Sequence, residues 1–483
     1  MAAGAAVGLK CAPAALLSGF RTGREQKWPR RGAGEPESRA AGQPGIGARR
    51  GRGSARGAAG RSETGPCETG PCETRSDAAR RGEAKAGVTH DSGQLDGAAA
   101  APHLALLLPH LRIGGVEKSL VSLVDPLRAH GWRVTVIAQS PDGVLGARLE
   151  ALVPLPGRAD LGGRRVIGAS ARLAGLMRRA RFDLIYSATN DTNLLSLIAR
   201  MRARRPEIAC VISEHTPVNP WIAEHKLPRL RRAAMRLLYP RAQAFCAPSA
   251  GIGDEIAALL GERTPPVHVL PNAVIDVIPP WRPLAARAAR LVSIGRLRPE
   301  KRFDLMIRAF ARLHAAHPSV RLTIHGEGPE RPALEALCRA LGLAGAVHLP
   351  GETRDVAAAL ARADGFLCTS LREGLGNAII EAQAAGVPVL SVDCPFGPRQ
   401  LLRGGRAGLL VGGDDVAALA AALFRFHRDR AAREAWRRAA RAVARSYSVE
   451  RAAEAHDRLF RLCLKEHRAR WPVRAQEREA RCA

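Results

Sequence analysis

His103-Leu-Ala-Leu-Leu-Leu108, then Gly114-Gly115, then apolar residues at Leu120, Leu123, Val124 and Leu127, then Gly131 and Arg133-Val-Thr-Val-Ile-Ala138: this succession decides the fold. A six-residue apolar run is strand-length, and its lack of alternation predicts a strand covered on both faces, as in a parallel sheet. The spacing that follows the glycines is helical and predicts a helix over 116–130, stopped at Gly131. Strand, glycine turn, helix, glycine and strand make a βαβ unit.

The same alternation continues outward. Helices are expected over 169–179 and 194–204, strands over 184–187 and 209–213, a strongly basic helix over 228–239, and short strands over 244–248 and 267–270. Pro279-Pro-Trp-Arg-Pro283 reads as a linker. Beyond it a second series begins at Arg290-Leu-Val-Ser-Ile-Gly295 and runs through alternating strands and helices to Gly408-Leu-Leu-Val411. The expected architecture is therefore α/β, with two Rossmann-like doubly wound domains facing across a cleft, over 101–280 and 281–445. A helix over 446–470 is expected to cross back to the first domain, and 471–483 to form a tail. Such sheets bind ligands at the carboxyl ends of their strands.

Residues 1–100 are rich in Gly, Ala, Arg, Pro and Ser and contain the repeat Thr64-Gly-Pro-Cys-Glu-Thr-Gly-Pro-Cys-Glu73. This composition buries too little apolar surface to offset chain entropy, so a disordered tail is expected there. The chain has 483 residues and a formal charge of +29, but 1–100 holds only 16 Lys and Arg against 10 Asp and Glu, so +23 falls on the remainder. A basic folded surface suits anionic membrane or phosphate-bearing ligands. Nucleic acid is not expected, because no basic platform interleaved with aromatic residues occurs. The ten cysteines have no zinc-type spacing and are expected to be reduced thiols in a cytoplasmic protein. No apolar run reaches the 18 or so residues that a membrane span needs.

The stretch with most chemistry is Thr369-Ser-Leu-Arg-Glu373-Gly-Leu-Gly-Asn377-Ala-Ile-Ile-Glu381. Two carboxylates flank a glycine-rich turn that opens a helix, and the spacing of eight lets both face one side of the helix N-terminal end. Read alone, paired acids fit either an acid/base couple of the glycosidase kind or two anchors for sugar hydroxyls. The turn over Gly374, Leu375, Gly376 and Asn377 would present backbone amides to an anion, and Arg296 and Lys301 follow a strand end in the same half.

Residues 103–465 resemble the retaining GT-B glycosyltransferases of glycosyltransferase family 4. The matching pieces are Gly295-Arg296-Leu-Arg-Pro-Glu-Lys301, His325-Gly-Glu-Gly328-Pro329, Leu349-Pro-Gly351-Glu-Thr353, the Glu373–Glu381 stretch and Ala385-Gly386-Val-Pro388-Val, with Gly114-Gly115-Val-Glu117 resembling the acceptor-side opening loop. The resemblance implies that 281–445 binds a nucleotide-sugar donor and 101–280 faces the acceptor. It implies that Glu381 binds the ribose, Glu373 the transferred sugar, and Arg296 and Lys301 the diphosphate. Gly115 and Gly328 would let loops approach the donor, and His215 would face its sugar. Lys118 could contact a phosphate or lie on the surface, and the surface reading is preferred. No cofactor is expected beside a nucleotide-sugar co-substrate, for which a UDP-linked donor is the expectation although these residues do not read out base or sugar. No metal is expected, since no Asp-x-Asp is suitably placed and Arg and Lys with the helix dipole can replace one. Arg229, Arg231, Arg232 and Arg236, interleaved with Leu230, Leu237 and Leu238 in the basic helix, fit either anionic lipid headgroups or a basic face in water. On the first reading the expected acceptor is a glycan or polyprenyl-linked saccharide met at the inner face of the cell membrane. The other reading is a catalytically silent nucleotide-binding member acting as an assembly partner. One departure is Gln400, where the family pattern has Glu.

Overall fold

The structure, a computed structural model, describes residues 101–112, 114–155, 164–413 and 415–471. The tail expected over 1–100 and all of the tail expected over 471–483 except Trp471 lie outside the described residues.

The first lobe is built on seven parallel strands, β1 (His103–His110), β2 (Arg133–Ser140), β3 (Leu152–Pro154), β4 (Leu184–Ala188), β5 (Ala209–Ser213), β6 (Ala244–Ala247) and β7 (Val267–Val269). Their order is β3-β2-β1-β4-β5-β6-β7. The second lobe has six, β8 (Arg290–Ile294), β9 (Arg321–His325), β10 (Val347–Gly351), β11 (Gly365–Cys368), β12 (Val389–Val392) and β13 (Leu409–Val411), ordered β10-β9-β8-β11-β12-β13. Every pairing is parallel. The unbroken apolar runs have the expected cause: Leu104 to Leu108 and Leu184 to Ala188 are buried on both faces of the sheet, under helices. In each lobe the strand order reverses at one place, between β1 and β4 and between β8 and β11, and loops leaving adjacent strands part there to open a crevice.

The single helix expected over 116–130 is two, Gly115–Val121 and Val124–Ala129. Pro126 is the cause: it lacks an N–H, and its ring clashes with the carbonyl four residues back, at Ser122, where the first helix ends. The helix expected from 194 starts earlier, at Asn190, because its first turn is polar yet buried through Asn190, Thr192 and Asn193. Helices Val218–Glu224 and Ala250–Leu260 carry too weak a periodicity to be expected.

The lobes are joined twice, and the two joints bond to each other. Val274 and Ile275 donate backbone N–H groups to the Tyr447 carbonyl at 3.1 Å, and Val449 donates to Ile275 at 3.0 Å. From there the helix Val449–Arg470 returns to the first lobe, where Ala452, Leu459, Phe460 and Leu464 join the core of β1, β2 and β4. Trp132 Nε1 donates to Asp457 at 2.6 Å and closes that contact. In the linker, Trp281 lies against Gly386, donates to the Ala384 carbonyl at 2.9 Å and stacks under Arg437 and Arg441. Two cation–π contacts of about 0.5–1 kcal/mol each clamp the linker to the second lobe.

Candidate active site

The loops after β8 and β11 meet at the second lobe's crevice. Thr369 Oγ1 donates to the Lys301 and Arg302 carbonyls, each at 2.9 Å, and the Leu371 amide to the Glu300 carbonyl at 2.8 Å. This stitching brings Lys301 Nζ to 2.5 Å from Glu373 Oε1, which also accepts from Ser370 Oγ at 2.6 Å. Burial works to lower the Lys301 pKa, but the Glu373 carboxylate outweighs it and the net shift is upward, so the ammonium is retained. The Arg296 side chain is exposed on the same loop, near enough to repel Lys301. Gly328 matters indirectly: a Cβ there would overlap the Leu297 backbone, so its glycine lets the loop after β9 brace the Arg296–Lys301 loop.

The turn beyond Glu373 meets the first lobe. A Cβ on Gly374 would overlap the carbonyl oxygen of His215, and Ser249 Oγ donates to the Gly374 carbonyl at 3.0 Å. Leu375 is buried, and Gly376 takes φ +99° at the start of helix Asn377–Ala384, a conformation open to glycine. Asn377 bridges the cleft: its Nδ2 donates to the Gly115 carbonyl at 2.9 Å and its Oδ1 accepts from Asn272 Nδ2 at 2.8 Å. One helical turn on, Glu381 Oε1 lies 2.8 Å from Nζ of Lys118, in the first lobe. Lys118 is therefore part of the cleft rather than of the outer surface where its sequence context placed it. The two acids do not share one pairing: Glu373 takes its lysine from its own lobe and Glu381 from the opposite lobe.

His215 approaches the second lobe through its backbone. Its ring turns toward a small cavity lined by Ser119, Tyr186, Ser213, Asn272 and His456, with Nε2 3.1 Å from Ser213 Oγ and Nδ1 buried without a partner. Burial, with a smaller push from His456, lowers its pKa to about 4, so the ring is neutral near pH 7. The preceding residue is one the sequence did not bring forward. Glu214 is buried and accepts from Tyr239 Oη at 2.5 Å, Asn193 Nδ2 at 3.2 Å and Asn190 Nδ2 at 3.4 Å. Burial raises its pKa to about 7 against those hydrogen bonds. Gln400, the departure from the family pattern, is exposed and donates to Tyr447 Oη at 3.3 Å, beside the joint between the lobes.

Asn272 and Ser249 are cleft residues that sequence reasoning did not select, and Lys118 is one that it weighed and set aside. The signal for Lys118 was its position three residues past Gly115, in the loop-to-helix segment after β1. Ser249 and Asn272 follow β6 and β7, and both are ordinary polar residues beside a strand end. Among the described residues no group of three His, Cys, Asp or Glu is placed to hold a metal ion. The six described cysteines are free and buried.

The chain's likeness to known proteins follows the same division. A family model described as "Glycosyl transferases group 1" matches residues 282–443, and one described as "Glycosyltransferase Family 4" matches residues 113–276. The lipopolysaccharide core biosynthesis glycosyltransferase LpsE of Rhizobium meliloti is 30% identical over 320 residues, covering 64% of this chain and 84% of that protein. A 36% identical match to the exopolysaccharide phosphotransferase SCO2592 of Streptomyces coelicolor covers 36% of this chain but spans only 18% of that protein. Among solved structures, Anabaena Alr3699/HepE in complex with UDP-glucose superposes with a TM-score of 0.63 at 22% identity, over 74% of this chain and 99% of that one. Two parallel sheets with reversed strand order, and a cleft whose two sides match the two family models, lead to one conclusion: the chain belongs to the GT-B glycosyltransferases of family 4.

Proposed function

We propose that the protein is a retaining glycosyltransferase that moves a sugar from a UDP-linked donor to a lipid-borne saccharide, without a divalent metal. The observation that carries the donor half is the placement of Glu373 and Glu381 at the carboxyl ends of the second lobe's strands, each held 2.5–2.8 Å from a lysine. Carboxylates accept hydroxyl hydrogen bonds, so Glu381 is assigned to the ribose and Glu373 to the transferred sugar. Between them lies the diphosphate, which gains negative charge as the anomeric bond breaks. Lys301, Arg296 and the N-terminus of helix Asn377–Ala384 place positive charge at that point, which is the stabilisation the step most needs. That role is the one a metal ion fills elsewhere.

The acceptor half rests on helix Pro228–Leu238. Its outer face carries Arg229, Arg232 and Arg236 beside Leu230 and Leu237, the leucines being 51% and 55% exposed. Leucine left in water between arginines fits the boundary of an anionic bilayer, where both find partners. The relative LpsE is named for lipopolysaccharide core biosynthesis, and a lipid-borne glycan as acceptor here agrees with that surface. Among the described residues no helix is long and apolar enough to cross a membrane.

The donor half is tested by incubating the full chain with a panel of nucleotide sugars and following release of UDP or GDP. Release that is abolished by Glu381→Ala and by Lys301→Ala supports the reading. Release indifferent to both substitutions removes it.

A further inference from the structure

Lys118 and Lys301 hold equivalent positions around the donor carboxylates, although they come from opposite lobes. Lys301 Nζ sits 2.5 Å from Glu373, and Lys118 Nζ sits 2.8 Å from Glu381. A donor whose ribose and sugar occupy the two carboxylates has its diphosphate between them, within the span that the two ammonium groups flank. Each carboxylate neutralises one lysine.

The Lys118 pair adds little to holding the lobes together. The Lys118 side chain is 44% exposed, and a pair that open to water is worth about 0–1 kcal/mol. Asn377 already joins Gly115 and Asn272 across the same gap. A diphosphate carries more charge than one carboxylate and offers several acceptor oxygens, so it competes well for an ammonium held this loosely. A ribose diol in turn needs the lone pairs of Glu381 that the ammonium now occupies.

We propose that Lys118 is a donor-binding residue of the first lobe: its ammonium leaves Glu381 for the diphosphate as the ribose hydroxyls take its place on the carboxylate. The inference rests on the assignment of Glu381 to the ribose, and it makes donor binding engage both lobes at once. Sequence context leaves a phosphate contact open for Lys118 but does not show this exchange, because it depends on a residue 263 positions away.

The test is calorimetric titration of the full chain with UDP, GDP and ADP at fixed ionic strength, alongside the matching nucleosides followed by saturation-transfer NMR. Lys118→Met is expected to weaken the preferred diphosphate about tenfold, the equivalent of about 1.4 kcal/mol, while nucleoside binding is unchanged. Lys118→Arg, which keeps the charge, is expected to recover most of the loss. Diphosphate binding by Lys118→Met that equals or exceeds that of the native chain overturns the inference, because the lysine is then a competitor for Glu381 or a bystander. Glu381→Gln and Lys301→Met separate the two readings. If they weaken diphosphate binding and Lys118→Met does not, only the role of Lys118 falls. If none of the three changes it, or the native chain binds no diphosphate, the donor site itself is misassigned and both readings fall.

Discussion

At the scale of single residues, Glu214 shows how environment rather than identity sets behaviour. Its raised pKa means the folded chain holds a proton that the unfolded chain releases near the ordinary glutamate value of about 4.5. The unfolded state then binds fewer protons, so this carboxyl's contribution to stability is present below about 4.5 and is lost as pH rises to about 7. His215 and His456, both neutral in the fold with pKa values lowered to about 4, act in the opposite sense over an overlapping range. The Glu214 effect is therefore read as a difference: relative to the native chain, Glu214→Gln should gain on the order of 3 kcal/mol of stability between pH 4.5 and 7. Urea titrations of both proteins at three pH values check this, and a constant difference would mean that Tyr239, Asn190 and Asn193 hold the carboxylate in its charged form. The facing charged groups are Asp191, which adds to the upward shift, and Arg231, paired with Asp191 at 2.7 Å. Nothing in the local sequence Ser213-Glu214-His215 distinguishes these two ionisable residues as buried, because the Asn190, Asn193 and Tyr239 groups around Glu214 and the His456 beside His215 come from elements distant in the chain.

At the scale of elements, periodicity revealed most of the strands and the glycine-bounded helices, since covered parallel strands are apolar throughout and helices repeat every 3.6 residues. It failed where polar residues face inward, as in the first turn of helix Asn190–Ala203. The basic helix shows the same limit. Pro228–Leu238 reads as an arginine-rich face, yet Arg231 is buried at 4% exposure, bonded to Asp191 and Asn190 and stacked on Trp221, while Leu230 and Leu237 point outward. Helical spacing puts Arg231 on one face with Met235 and Leu238, four and seven residues on, but its charge groups it with Arg229, Arg232 and Arg236 when the segment is read for composition. The outward leucines make a prediction that charge alone does not. Binding to vesicles containing anionic lipid at physiological salt should be lost in an Arg229→Ala, Arg232→Ala double variant and also weakened by Leu237→Ser, with neutral vesicles binding poorly throughout. Equal sedimentation with neutral and anionic vesicles would dispose of the membrane assignment.

At the scale of the whole molecule, each lobe's fold was legible because a doubly wound sheet is written in local alternation, and the strand-end loops with glycines and charges marked the crevice. What local sequence did not carry is closure: the pairs Lys118–Glu381, Asn272–Asn377 and Ser249–Gly374 join residues more than 100 positions apart and exist only once the two lobes meet. The helix Val449–Arg470 shows the same dependence in the core. Phe460→Ala should cost about 3–5 kcal/mol, and the loss should appear in the first lobe, seen as faster amide exchange in β1 and β4 with β8 and β11 little changed. Uniform acceleration across both sheets would show instead that the lobes unfold as one unit. The returning helix also sets an order of events during synthesis. β1, β2 and β4 are made early, yet one side of their core stays open until residues past 460 have left the ribosome, after the entire second lobe has been translated. The nascent first lobe must wait, incompletely packed, through roughly the time taken to make 180 more residues, which at about 5–20 residues per second is on the order of ten to forty seconds. For that interval the apolar surface that Phe460 and Leu464 finally cover is available to chaperones, and to other nascent chains.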